Sequence, residues 1–120
     1  MDINEHLAVN VMGWRKASVN LLTNAKPRFG DVIDCYSDDT GECKVLLKDW
    51  NPPENIEQAF MCYQSLIRKG YEGEINSRTN THDVYLCKRN TGYSLKTSVD
   101  LCDALSSACA KATGWEPNVS

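Results

Sequence analysis

The strongest periodic signal lies mid-chain. Ile56, Ala59, Phe60, Tyr63, Leu66 and Ile67 recur at helical spacing while Glu57, Gln64, Arg68 and Lys69 fall outside the stripe, so the pattern predicts an amphipathic helix. Its start is read from Asn51-Pro52-Pro53-Glu54. Asn51 serves as cap, Pro52 takes the first helical position, where a missing N–H is no loss, and Glu54 completes a capping box. Gly70 closes the helix. Two further helices are expected. Asp2 and Glu5 form a capping box ahead of the stripe Leu7, Ala8, Val11 and Met12, with Gly13 as the stop. Thr97 with Asp100 opens the other, whose apolar face is Leu101, Cys102, Leu105, Ala108, Cys109 and Ala112 and whose end is Gly114.

Between these helices the alternation changes to a two-residue period. Residues 31–36 and 43–48 are β-rich runs around the polar stretch Ser37-Asp38-Asp39-Thr40-Gly41-Glu42, which predicts a hairpin. Ile33 and Cys35 should share one face, matched across the turn by Cys43, Val45 and Leu47. Residues 71–77, 83–88 and 93–96 read as three more strands, with Val84 and Leu86 on one face and Tyr85 and Cys87 on the other; an Asn90-Thr91-Gly92 turn joins the last two. Residues 14–30 show little periodicity and are expected to be irregular, with a short strand near Val19 to Leu22. Short hairpin connections demand antiparallel pairing, and apolar residues on both sheet faces demand cover on each. The expected fold is therefore α+β: a three-layer α/β/α sandwich with a mainly antiparallel sheet of four to five strands. It forms one domain over residues 1–120, of which 115–120 is a tail.

Composition narrows the function classes. At 120 residues the chain suits one core. A formal charge of -3, from 13 basic and 16 acidic residues, gives no footprint for phosphate backbones, so nucleic-acid binding is not expected. No apolar run approaches the ~20 residues a membrane span needs, and residues 1–10 lack the marks of a secretory leader, which places the expected protein in the cytoplasm, away from membranes. In that compartment the six cysteines, Cys35, Cys43, Cys62, Cys87, Cys102 and Cys109, should be free thiols, most of them on predicted core faces as small apolar fillers. None forms C-x-x-C, and His6 and His82 lie far from any of them, so no metal site or cofactor is expected. Gly-rich phosphate cradles are absent from the sequence.

The segments Met12-Gly13-Trp14, Trp50-Asn51-Pro52 with Asn55-Ile56 and Ala59-Phe60, Lys69-Gly70-Tyr71, and a terminal helix with Leu101-Cys102, Ala104-Leu105 and Gly114 together resemble the phage ABA-sandwich domain family, small proteins of Firmicute phages and prophages. The resemblance spans nearly the whole chain. Pro53 stands where members commonly have Ser, and residues 17–30 look like an insertion. The family implies the three-layer fold and a phage origin, and no catalytic residue. The residues themselves agree: a reactive thiol needs an exposed electropositive niche, and Asp34, Asp38, Asp39 and Glu42 read as a solvated turn rather than an acid/base pair. Candidate binding residues are Tyr36, Tyr85 and Tyr93, which could offer contact area, and Arg78, Lys88 and Arg89, which could grip an anionic group. The expectation is a non-catalytic phage accessory protein that binds and inhibits a host component, chiefly a bacterial defence protein. The alternatives are a homo-oligomeric sponge for a nucleotide-derived immune signal and, last, a small enzyme.

Overall fold

The computed structural model describes residues 2–20, 32–88 and 93–115. Asp2 accepts the Glu5 amide at 2.8 Å and opens α1 (Ile3–His6), as the capping box predicts. The helix then widens into a π turn over Leu7–Val11, which buries Leu7, Ala8 and Val11. Gly13, at φ 75°, releases the chain.

The first sheet follows, in the order β1 (Arg15–Asn20), β2 (Val32–Ser37), β3 (Cys43–Leu46), with both pairs antiparallel. The strand expected near Val19 to Leu22 thus starts at Arg15, and its reading beyond Asn20 lies outside the described residues. Asp38 builds the β2–β3 turn: its carboxylate accepts the amides of Thr40 and Glu42 at 2.9 and 3.0 Å. The predicted face assignment holds for Cys43 and needs correction for Val45. Cys35 pairs with Leu46 and Tyr36 with Val45, but the register shifts between Tyr36 and Ser37, so that Ser37 pairs with Cys43. A bulge moves every later residue to the other face, so Val45 shares the face of Tyr36 while Cys43 shares that of Cys35.

A single turn, Leu47–Asp49, leads to the buried Trp50. The middle helix starts later than Asn51. Pro52 and Pro53 support only a 3-10 turn, Pro52–Glu54, and Asn55, extended at φ -131°, is the true cap, accepting the Gln58 amide at 3.1 Å. Asn51 instead donates its backbone N–H to the Gln58 side chain at 2.6 Å. Helix α2 (Ile56–Arg68) buries Ala59, Cys62 and Leu66, whereas Ile56 and Ile67 remain 40% and 38% exposed; the core face is rotated from the predicted stripe toward Cys62.

The second sheet, β4 (Glu72–Ser77), β5 (His82–Cys87) and β6 (Tyr93–Ser98), is antiparallel in that order. The last helix also starts later than predicted. Thr97 stays in β6, donating to Asp83 at 2.8 Å, and Asp100 caps α3 (Leu101–Ala112) by accepting the Cys102 amide at 2.8 Å. The loop read as Asn90-Thr91-Gly92 lies outside the described residues, as do residues 116–120 of the expected tail.

The architecture is mixed α+β. Where the spacing predicts one sheet of four to five strands, the described residues form two sheets of three. After β3 the chain turns at Leu47–Asp49 and sinks Trp50 into the interior, and no ladder among the described residues joins β3 to β4. Val84 and Leu86 of β5, which packs on α3, share one buried cluster with residues of α2, and Ser94 of β6, also buried, donates to the Ala108 carbonyl at 3.0 Å. Tyr63 of α2 lies directly on Gly73, opposite Leu86 in the ladder, so that a methyl group there would sit 2.7 Å from the ring's Cζ. Helix α3 is the hub, burying Ala104, Leu105, Ser106, Ala108, Cys109 and Ala110. The same cluster continues through Leu7, Ala8 and Val11 to Trp14, Trp50 and Tyr36, which ties in the first sheet. Trp50 packs edge-on against Trp14 at 5.0 Å and Tyr36 at 6.5 Å between ring centroids, and its Nε1 donates to the Asn4 carbonyl at 2.8 Å.

Candidate functional site

The candidate residues whose side chains the structure describes, Tyr36, Arg78, Tyr85 and Lys88, do not form one cluster. Tyr36 is 3% exposed and belongs to the aromatic core, so it is not presented to a ligand; its phenol is pushed up by burial, an effect the Lys16 charge partly offsets. The sequence placed it on a sheet face without showing that this face turns inward. Arg78 is solvent-facing, with its guanidinium 3.5 Å from the Asp83 carboxylate. Lys88 sits 5.2 Å above the Tyr71 ring. Tyr71 and Lys88 lie one step beyond the Glu72–Cys87 pair, in the alternation of the helix-covered face. Arg89 lies outside the described residues. Tyr93 opens β6 opposite Cys87.

Tyr85 lies at the centre of the second sheet's other face. Strand alternation puts Asp83, Tyr85 and Cys87 on the face of the second sheet that points away from Val84 and Leu86. Their ladder partners are Asn76, Glu74 and Glu72 on β4, and Thr97, Leu95 and Tyr93 on β6. Glu72, Glu74, Asn76 and Thr97 are exposed, Leu95 is 47% exposed, and Tyr85 and Cys87 are half-buried. The result is a shallow strip of Tyr85, Cys87 and Leu95 edged by Glu72, Glu74 and Asp83. Val99, 76% exposed, follows β6 at one end.

A second feature was not among the candidates. A cleft of about 600 Å³ opens along α3, lined by Asp103, Ser107 and Lys111 of that helix, by Lys96, and by Ile3, Pro53, Gly114 and Trp115. Lys96, Lys111 and Trp115 stand in its lining beside one carboxylate, Asp103, which accepts from Ser107 at 3.3 Å. The four-residue steps from Asp103 to Ser107, Lys111 and Trp115 were a usable signal for this stripe. Reading residue 115 as tail concealed it.

Several groups with acid/base or nucleophilic capacity, His6, His82, Cys62, Cys109 and Asp38, are engaged elsewhere. His6 is buried, with Nε2 2.8 Å from Thr113 Oγ1 and Nδ1 3.2 Å from Asn10 Nδ2, and burial lowers its pKa. Thr113 already donates to the Cys109 carbonyl at 2.9 Å, so its oxygen accepts from Nε2–H and leaves Nδ1 to accept from Asn10. His82 Nδ1 contacts Ser77 Oγ at 2.8 Å. Burial pushes the Cys62 thiol up to about 12 and holds Cys109 well above its ordinary value, so both stay protonated as core fillers. Asp38 is held down at about 2, first by the Thr40 hydroxyl and further by the turn amides. Among the described residues no three His, Cys, Asp or Glu side chains cluster as metal ligands would. No described helix is long and apolar enough to cross a membrane. Comparison of the chain with family models, with curated proteins and with solved structures gave no match in any of the three.

Proposed function

We propose that this chain is a non-catalytic binding protein that docks on a protein partner through the outer face of the second sheet. The observation that carries this reading is the strip Tyr85, Cys87 and Leu95, which lies opposite the face on which α2 and α3 pack and is edged by Glu72, Glu74 and Asp83. Aromatic and aliphatic side chains in a charged frame suit an interface centre and rim. The acidic edge selects a partner whose matching patch is apolar and basic-rimmed. The motif resemblance supports a phage-encoded role, and with it an inhibitor of a bacterial defence protein acting in the host cytoplasm. On this reading the helices form one layer on the second sheet, and the partner supplies the cover on its other face that a three-layer sandwich requires.

The test uses tagged protein and lysate of a bacterial host. The expected result is a partner captured by wild type and by Lys111→Glu, but not by Tyr85→Ala or Leu95→Arg. Capture that survives both outer-face changes refutes the assignment of this face.

The cleft favours a second reading, a sponge for a small anionic ligand bearing a planar ring, with Lys96 and Lys111 at the anion and Trp115 against the ring. Incubation with candidate nucleotides followed by heat release separates the possibilities. Intact recovery that Lys111→Glu abolishes supports sequestration. Chemical conversion establishes an enzyme, and absence of binding leaves the protein-partner reading.

A further inference from the structure

The hairpin of the first sheet holds two thiols that belong neither to the main hydrophobic cluster nor to the binding strip. Continuing the ladder regularly from Cys35 opposite Leu46 would bring Lys44 opposite Ser37 and leave Cys43 on the far side of the sheet. The bulge between Tyr36 and Ser37 changes this by pairing Ser37 with Cys43. A one-residue shift reverses the face, so Cys43, paired with Ser37, becomes the diagonal same-face neighbour of Cys35. Their exposures differ: Cys35 is fully buried and Cys43 is exposed. The intervening turn is tightly held. Asp38 N donates to the Glu42 carbonyl and Gly41 N to that of Asp38, each at 3.1 Å, in addition to the carboxylate contacts.

We propose that Cys35 and Cys43 are a built dithiol site, at which a peroxide closes the hairpin with an intramolecular disulfide. The exposed partner reacts first. The Cys43 sulfur attacks one peroxide oxygen, the O–O bond breaks, and the products are the Cys43 sulfenic acid and water, with hydrogen peroxide as the oxidant. The Cys35 sulfur then attacks the Cys43 sulfur; the S–O bond breaks, and the departing hydroxide takes the Cys35 proton as a second water. One peroxide is reduced and two thiols are oxidised. Burial, together with the neighbouring Cys43, raises the Cys35 pKa, which suits a resolving thiol that is inert until a sulfenic acid forms beside it.

Trypsin should release both residues in one peptide, Phe29–Lys44, because Arg28 and Lys44 are consecutive cleavage sites in the sequence. The folded protein is treated with stoichiometric hydrogen peroxide, alkylated with iodoacetamide after denaturation, and digested. The expected result is that this peptide escapes alkylation and is lighter by two hydrogens, about 2 Da, until dithiothreitol restores it. Cys35→Ser should let a dimedone adduct accumulate on Cys43. In the double variant Cys43→Ser, Lys44→Cys, the thiol is moved one residue along β3 to the opposite face, and closure should be lost. Any of three outcomes overturns the proposal: both cysteines of the wild-type peptide alkylated after peroxide, Cys43 linked to a sulfur outside this peptide, or closure that persists in the shifted double variant.

Discussion

Gly73→Ala inserts a single methyl group beneath Tyr63. The new Cβ would lie 2.7 Å from the ring's Cζ and 2.8 Å from Cε2, against the ~3.5–4.0 Å of ordinary carbon contacts. Gly73 sits inside β4 opposite the fully buried Leu86, so the backbone cannot retreat without disturbing the ladder. Tyr63 is half-buried and must swing outward. A buried aromatic covers about 150–250 Å², and losing roughly half of that at about 25 cal/mol per Å² removes about 2–3 kcal/mol. Replacing glycine inside a strand returns about 0.5–1 kcal/mol. The net expectation is destabilisation by about 1–2.5 kcal/mol, measured as a lower urea midpoint at unchanged m-value. The decisive measurement is the double-mutant cycle with Tyr63→Ala. With the ring gone, Gly73→Ala should reverse sign and stabilise by a few tenths to about 1 kcal/mol. If the substitution is equally harmful in both backgrounds, the ring contact is not what requires glycine here.

Three further outcomes are expected. Ser106 Oγ is fully buried without a hydrogen-bond partner among the described residues, so Ser106→Ala should be neutral or stabilising by up to ~1 kcal/mol in thermal or chemical melts; a loss of more than that would show a hidden partner. His6 is depressed in the folded state, so between its folded value and the ordinary ~6.5 the unfolded chain binds the extra proton, and its contribution is complete above that range and lost as pH falls through it. The denaturation midpoint should therefore be lower at pH 5.5 than at 7.5 in wild type, with the difference diminished in His6→Gln; an unchanged difference would assign the pH response elsewhere. Asp38→Ala should remove hydrogen-exchange protection from the Thr40 and Glu42 amides, which the carboxylate accepts, while the Tyr36–Val45 pair stays protected.

What could be read from the chain was what neighbouring residues decide. The Asp2 cap, the glycine stops at Gly13, Gly70 and Gly114, the hairpin about Asp38 and the opposed faces of β5 all depend on contacts a few residues apart. Competing local signals caused the small errors. Asn51 and Asn55 both precede suitable helix starts, and the consecutive prolines after Asn51 decided in favour of Asn55. Thr97 was claimed by β6 because its hydroxyl meets Asp83 across the sheet. The larger misses are non-local. Nothing in the β3 sequence announces the bulge, and the division into two sheets follows from where Trp50 finds its partners, Trp14 and Tyr36, far away in sequence. The candidate residues fared likewise: alternation placed Tyr85 on the outer face, but only the packing turned Tyr36 inward, and only the fold brought Lys96 alongside Lys111 and Trp115.

Helix α3 is encoded after both sheets, yet its small side chains are the surface on which much of the interior is assembled. During synthesis, therefore, the earlier strands and helices emerge before the element that can pack them together. Cooperative closure must wait until residues 101–112 have left the ribosome, and a stop codon ahead of Leu101 would yield a chain with greasy strands and no spindle to gather them.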